Sequence, residues 1–163
     1  MNGENKQKVI VGMSGGVDSS VAAFLLEEKG YEVIGVTMRT WENACEKMTD
    51  DENQAVNDAA RVAEKLGIPH YVVDFRKEFE DRVIKYFVSE YKSGRTPNPC
   101  IVCNRYVKWE ALLKYAESLG ANLIATGHYA LIDKYPKTGR YTVRNAVTAE
   151  KHQTYALCKL TQR

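Results

Sequence analysis

The sequence has no apolar stretch that approaches the ~20 residues of a membrane-spanning helix. It also has no signal peptide, because the polar head of MNGENKQKVIVG leads straight into a short apolar run. Proline and cysteine are scarce, at four residues each. These absences argue against membrane, secreted and collagen-like classes. With 44% hydrophobic and 27% charged residues, we expect a globular cytoplasmic protein with no membrane partner.

The chain has 163 residues, which suits one domain with a buried core. Residues 1–7 are expected to be a disordered tail, 8–128 the main domain and 129–163 an extension. Residues 151–160 look like the start of a helix, and the sequence stops at Arg163 without a helix cap or polar tail. We therefore expect a domain cut from a longer protein.

The net charge of +2 hides an uneven distribution. Residues 1–83 hold 10 Lys and Arg against 16 Asp and Glu, a net of −6, whereas residues 84–163 hold 13 against 5, a net of +8. Such a split suggests that the second half faces a polyanion. Chance scatter over a solvated surface is the alternative.

Apolar patterning predicts an alternation of strands and helices. Strands are expected over 8–13, 32–38, 70–75 and 122–126, with helices after the first strand and over 53–66, 78–91 and 106–119. Residues 129–147 predict a β-hairpin, and the proline-rich segment 94–104 predicts a loop. This order predicts a doubly wound, Rossmann-like parallel α/β sheet with a short hairpin extension.

The string SGGVDSS at residues 14–20 lies between the first predicted strand and helix. Its glycines allow a tight turn, and the backbone N–H groups at the helix start attract an anion such as phosphate. Asp18 fits such a site when it holds a cation, so Mg²⁺ is implied. The string has no Walker lysine and no GxGxxG spacing. An ordinary glycine turn with a polar helix cap is the alternative.

This string resembles the pyrophosphate loop of the ATP pyrophosphatase group. The resemblance implies that ATP is cleaved between its α- and β-phosphates and that a carbonyl oxygen is adenylated. By itself it does not identify the acceptor.

The four cysteines are Cys45, Cys100, Cys103 and Cys158. The C-x-x-C spacing of the middle pair favours metal binding or thiol chemistry over a structural disulfide framework. Four strings occur in order along the chain: GMSGGVDSS, GRTPNPxxxCN, TGHY at 126–129 and KHQTY at 151–155. Together they resemble the tRNA-specific 2-thiouridylase (MnmA) family from about residue 8 to the last residue.

The resemblance implies an enzyme that thiolates C2 of uridine 34, the wobble base of Lys-, Glu- and Gln-type tRNA. ATP would adenylate the C2 oxygen, and a cysteine persulfide would deliver sulfur. A persulfide donor protein, a cysteine desulfurase or a relay, is then the second partner. Because the uracil C2 carbonyl is a poor electrophile, conversion of its oxygen into a good leaving group is chemically necessary.

By position in the family strings, Cys103 is the catalytic nucleophile that carries or attacks the persulfide. Its disulfide partner lies beyond residue 163 in family members, and Cys158 is not its equivalent. We therefore expect this chain to bind nucleotide without completing sulfur transfer. A predicted helix start and the nearby Arg105 and Lys108 favour thiolate character at Cys103.

The same resemblance assigns binding residues. The ATP pocket is expected to contain Gly12, Met13, Ser14, Gly15, Gly16, Val17, Asp18, Ser19, Met38 and Gly127, with Mg²⁺ held through Asp18. Asn98, Pro99 and Cys100 are expected to meet the target base, and His128, Lys151, His152 and Gln153 to contact tRNA. The basic residues Lys92, Arg95, Arg105 and Lys108 suit a phosphate backbone.

Cys100 stands where well-known family members have Asp. Three interpretations are open. Cys100 could perform acid–base work as a thiol, it could form a disulfide or relay sulfur with Cys103, or the two could ligate zinc or a [4Fe-4S] cluster in the full-length protein with a third ligand.

Two other functions compete with thiolation. A pyrophosphatase-loop ligase for a small substrate needs no nucleophilic cysteine, and a nucleotide sensor of the universal-stress type needs neither Asp18 nor the cysteine pair. Of the weaker features, the stripe formed by Phe79, Val83, Tyr86 and Phe87 is expected to be core, as is Trp109.

Overall fold

The computed structural model describes residues 6–41, 50–144 and 153–162. Its strands are β1 (Lys8–Gly12), β2 (Glu32–Arg39), β3 (His70–Asp74), β4 (Leu123–Thr126), β5 (Leu131–Lys134) and β6 (Tyr141–Arg144). Its α-helices are α1 (Val17–Glu28), α2 (Asp50–Leu66), α3 (Arg76–Phe79), α4 (Lys85–Lys92), α5 (Pro99–Cys103) and α6 (Leu112–Ser118). A π-helical stretch joins α3 to α4 (Glu80–Ile84) and another joins α5 to α6 (Asn104–Ala111), and Thr154–Leu157 forms a 3₁₀ turn.

Four strands form one parallel sheet in the order β3-β2-β1-β4. The chain leaves β1 toward β2 through α1, and it returns to the other side of β1 only at β4. The strand order therefore reverses at β1, as in doubly wound sheets. This confirms the predicted fold, and the antiparallel pair β5-β6 confirms the predicted hairpin.

The two faces of the sheet have separate cores. Val9 and Val11 of β1 pack with Ala23 of α1 and with Ala59 and Ala63 of α2. Ile10, which lies between Val9 and Val11, belongs to the second core and packs there with Val107 and Leu112. Because side chains alternate along a strand, a central strand with helices on both faces must be apolar throughout. KVIVG meets this requirement.

The predicted loop over 94–104 is wrong in its second half. A helix begins at Pro99, so Cys100 and Cys103 lie on helical backbone. The Asn98 side chain caps this helix by accepting a hydrogen bond from the Ile101 N–H at 3.3 Å, and Pro99 occupies the first helical position. Proline is favoured there because no helical partner is needed for its missing N–H. The signal interpreted as a loop was a helix start.

The predicted apolar stripe on the helix before Ser93 is core over only part of its length. Val83 is buried and Phe79 packs against the same core. Phe87 and Tyr91 are exposed, and their rings contact each other edge to face at 4.9 Å.

Residues 1–5, 42–49, 145–152 and 163 lie outside the described residues, so the expectations for most of the tail, Cys45, Lys151 and His152 have no structural outcome. Among residues 6–41, 50–144 and 153–162, the structure contains no helix long and apolar enough to cross a membrane.

Candidate active site

A cavity of about 470 Å³ opens at the carboxyl edge of the sheet, where β1, β2 and β4 end. This edge, at the point where the strand order reverses, is where open α/β sheets bind ligands. The walls come from both halves of the chain: Gly12, Met13, Ser14, Asp18, Ser19, Thr37, Met38, Arg39, Thr40, Trp41, Ala55, Val56, Arg76, Cys103, Lys108, Thr126, Gly127, His128 and Gln153. The polar loop after β1 and the cysteine helix therefore face one space.

The loop after β1 is fixed by hydrogen bonds between its own residues. The Ser14 N–H donates to Ser19 Oγ at 3.2 Å, and the Ser19 hydroxyl donates to the Gly16 carbonyl at 3.1 Å. Gly15 has φ +77°, and a Cβ there would lie 2.5 Å from the Ala55 carbonyl oxygen. Only glycine suits this position, because the left-handed backbone and the close approach of α2 both exclude a side chain. The helix that follows has its first N–H groups at the cavity.

The end of β4 packs directly against this loop. A Cβ on Gly127 would lie 2.7 Å from the Ser19 nitrogen and 2.8 Å from the Asp18 carbonyl carbon. Tyr129, two residues on, donates a hydrogen bond from its hydroxyl to Asp18 Oδ1 at 2.5 Å. That bond and the nearby carboxylate raise the pKa of Tyr129. The segment after β4 therefore positions the loop carboxylate.

The end of β2 is tied to the loop by a buried hydroxyl. Thr37 Oγ1 donates to the Met13 carbonyl at 2.9 Å and lies 2.8 Å from His70 Nε2. Because its single proton goes to Met13, the hydroxyl accepts the second bond, and His70 carries its proton on Nε2. Burial lowers the pKa of His70, so the ring is neutral at pH 7.

Cys103 lines the cavity, is half-buried and forms no disulfide. Burial raises the pKa of its thiol, the charge of Lys108 opposes that rise, and Cys100 adds slightly to it. Desolvation therefore opposes the thiolate character expected of Cys103, and the Lys108 charge favours it. Cys100 is exposed and does not line the cavity.

His128 lines the same cavity as Cys103. Its Nδ1 lies 2.6 Å from Thr126 Oγ1, and its ring lies 5.4 Å from the Trp109 ring. Burial, with a smaller contribution from Lys108, lowers the pKa of His128. The imidazole is therefore neutral at pH 7. Trp109 is only partly buried and belongs to neither core cluster, so the prediction that it is a core residue is wrong.

Gln153 reaches the cavity from the far end of the chain. Its Oε1 accepts from the Tyr129 N–H at 3.2 Å, and its own N–H donates to the Tyr129 carbonyl at 3.3 Å. Through Tyr129 it is linked to Asp18.

The structure brings most of the expected residues to one cavity. Gly12, Met13, Ser14, Asp18, Ser19, Met38, Gly127, Cys103, His128 and Gln153 line it. Gly15 and Gly16 belong to the same loop and Val17 begins α1, but none of the three lines the cavity; Asn98, Pro99 and Cys100 lie at the start of α5 outside it. The functional roles assigned to these residues stay predictions.

Several wall residues were not predicted. Thr37, Arg39, Thr40 and Trp41 belong to the end of β2 or follow it, Arg76 follows β3, Thr126 ends β4, and Ala55 and Val56 come from α2. The position of a residue at or after a strand end was the available signal, since carboxyl ends of parallel strands share one edge. No sequence signal places α2 there.

Metal ligands are few. The described ranges contain no group of three or more His, Cys, Asp or Glu side chains that could hold a metal ion. Asp18 alone fits Mg²⁺ only with a phosphate ligand, because Mg²⁺ is commonly held by one or two carboxylates, substrate phosphates and water. The two thiols of 100 and 103 fall short of a zinc or cluster ligand set.

Comparisons with known proteins identify the family of this chain. The family model "tRNA methyl transferase HUP domain" matches residues 7–163. The tRNA-specific 2-thiouridylase MnmA of Lachnoclostridium phytofermentans is 57% identical over 162 residues, which are 96% of this chain and 45% of that protein. The protein of the same name from Pelotomaculum thermopropionicum is 58% identical over 97% of this chain and 45% of its own length. The chain thus spans somewhat less than half the length of these curated relatives.

Among solved structures, the chain resembles the U34-tRNA thiolase NcsA from Methanococcus maripaludis, determined with its [4Fe-4S] cluster. The TM-score is 0.54 at 23% identity, over 77% of this chain and 39% of that one. At this identity the likeness supports the fold alone.

Proposed function

Because this chain belongs to the tRNA-specific 2-thiouridylase (MnmA) family, we propose that the protein carrying it thiolates C2 of the wobble uridine, U34, of tRNA. The proposal rests on one observation: a single cavity joins the glycine loop to Cys103 and His128. A nucleotide on the loop would place its α-phosphate within the space that the cysteine faces.

The first half of the reaction is activation. The loop N–H groups and the Ser14 and Ser19 hydroxyls hold the ATP phosphates. Mg²⁺, held by Asp18 and the phosphates, would neutralise charge on the pyrophosphate that leaves. The C2 oxygen of the uridine attacks the α-phosphorus, the bond between the α- and β-phosphates breaks, and pyrophosphate takes the electron pair. The product carries AMP on the C2 oxygen.

The second half is sulfur transfer. Cys103 receives a sulfane sulfur from a donor protein, and the terminal sulfur attacks C2. The C2–O bond then breaks and AMP leaves with its electron pair. A second thiol attacks the Cys103 sulfur, so the S–S bond of the persulfide is replaced by a protein disulfide and the transferred sulfur stays on C2. We propose tRNAs of the Lys, Glu and Gln type as substrates, and a cysteine desulfurase or relay as donor.

The three interpretations of Cys100 all stay open. Its exposed thiol lies three residues before Cys103 on the same helix, which permits acid–base work or a disulfide. The described residues supply no third ligand for a cluster, so no step is assigned to one.

The decisive experiment uses a strain that lacks 2-thiouridine and the full-length gene that encodes this domain. Cys103→Ser should abolish 2-thiouridine in the tRNA, measured by nucleoside mass spectrometry. The matched control is Cys158→Ser, since Cys158 is exposed and does not line the cavity. Wild-type thiouridine in the Cys103→Ser strain would overturn the role of this thiol.

Activation is tested separately with purified protein. Asp18→Ala should abolish Mg²⁺-dependent release of AMP and pyrophosphate, because the cation loses its only protein carboxylate in the described part of the cavity. Asp133→Ala, in the hairpin, removes a carboxylate that pairs with Arg144 and should retain the activity. Retained activity in Asp18→Ala would contradict the proposed role of Asp18.

A further inference from the structure

Lys108 is a cavity residue to which the proposed reaction assigns no role. It lines the same wall as Cys103 and His128 and is half-buried. Nearby cations on the same helix are neutralised or stacked: Lys114 pairs with Glu110 at 3.1 Å, and Arg105 lies over the Tyr106 ring. Within the described ranges, Lys108 forms no ion pair with any carboxylate. Its charge is therefore available to a ligand.

The winding of the helix explains why Lys108 faces the cavity. Residues five apart on an α-helix lie roughly 140° apart around the axis, which would turn Lys108 away from Cys103. The stretch from Asn104 to Ala111 is π-helical and begins immediately after Cys103. Wider turns bring a residue five positions on back toward the same face. Such insertions are frequent at functional sites.

We propose that Lys108 is a catalytic residue that binds the phosphate of the adenylated base beside Cys103. Its ammonium group contacts this phosphate as the C2–O bond breaks and the electron pair moves onto the departing AMP. A fixed cation in a partly desolvated cavity stabilises such developing charge without reorganisation. This inference rests on the proposed function, since it needs an adenylated acceptor at Cys103.

Other charged groups face the same space. Arg39 and Arg76 line the cavity from the ends of β2 and β3, and Asp18 lines it from the loop. Arg76 is paired with Asp74 at 2.6 Å. Lys108 differs from both arginines because it comes from the cysteine helix itself, and its charge acts on both Cys103 and His128.

The test compares two reagents that alkylate Cys103 in this chain. Iodoacetate is an anion and iodoacetamide is neutral, so the ratio of their rates reports the positive potential at the thiol, and the thiolate fraction cancels. Lys108→Met should lower this ratio by about fivefold, the effect of one unit charge a few ångströms away in solvated surroundings. Lys108→Arg should restore it. Tandem mass spectrometry distinguishes Cys103 from Cys100.

Lys114→Met is the matched control, because it removes a cation from the same helix outside the cavity and should leave the ratio unchanged. An unchanged ratio in Lys108→Met, or an equal fall in Lys114→Met, would overturn the proposal. In the thiolating full-length protein, Lys108→Met should also lower kcat for sulfur transfer while the KM for ATP stays the same. If the full-length protein makes no 2-thiouridine, the proposed function is wrong. The alkylation ratio still tests whether Lys108 forms an anion site beside Cys103.

Discussion

At the scale of single residues, the site depends more on the close approach of the β4 end to the glycine loop than on charged side chains. Gly127 lets β4 end against the backbone of the loop, with no room for a Cβ beside Asp18 and Ser19. Tyr129 then fixes the Asp18 carboxylate by a hydrogen bond from 111 residues away in sequence. Two short contacts thus join segments that the sequence keeps far apart.

Gly127→Ala tests this close approach. The added methyl would meet Ser19 N and the Asp18 backbone below 3 Å, so the loop must shift. We expect a loss of roughly 1–3 kcal/mol in the free energy of unfolding, measured by urea denaturation, and weaker ATP binding by calorimetry.

Gly16→Ala is the control for stability alone. Its Cβ would meet only Ser14 Oγ, at 3.4 Å, and Gly16 has φ −83°. If Gly127→Ala lowers the free energy of unfolding no more than Gly16→Ala does, the loop and β4 are not tightly packed.

At the scale of elements, the helix that begins at Pro99 brings Cys103 to the cavity. Asn98 and Pro99 define its start, and Cys103 lies five residues into it, next to the π-helical stretch. Half-burial of Cys103 in this helix raises the pKa of its thiol even though the charge of Lys108 favours the anion.

Asn98→Ala tests the cap. The variant removes the acceptor for the Ile101 N–H, and we expect it to lower the free energy of unfolding by about 1 kcal/mol. Asn98→Asp retains an acceptor oxygen and should stay close to the wild type. Equal unfolding midpoints for Asn98→Ala and the wild type would mean that Asn98 does not cap the helix in solution.

At the scale of the whole molecule, the acidic first half and the basic second half of the sequence contribute different parts of the site. The acidic first half supplies the glycine loop, where we propose that backbone groups hold the ATP phosphates. The basic second half supplies Lys108 and the cysteine helix. Two partly buried histidines, His70 and His128, belong to this fold, and burial lowers the pKa of each.

These histidines predict how stability depends on pH. Because their folded pKa values lie below the ordinary value of 6.5, the unfolded chain binds more protons as the pH falls through that value. The stability they contribute is present above pH 6.5 and is lost on acidification. The free energy of unfolding, measured in urea at pH 7.5 and 5.5, should fall at the lower pH.

The double variant His70→Gln/His128→Gln should show a smaller difference between the two pH values. The same difference in the double variant and the wild type would assign this pH dependence to other groups.

The sequence by itself determined the parallel sheet, the hairpin and the position of the glycine loop. These follow from local patterns, because β1 must be apolar on both faces and a glycine pair must turn between a strand and a helix. The four strings also identified the family, which the comparisons confirmed.

Only the tertiary structure decided which residues share the cavity and what their environment does to them. It placed Thr37, Arg39 and Arg76 in the wall, turned the expected cysteine loop into a helix start, and gave Cys103 a raised pKa. The physical reason is that burial and close approach arise between segments distant in sequence. Desolvation, unlike helix propensity, is not a property of the residues nearby in the chain.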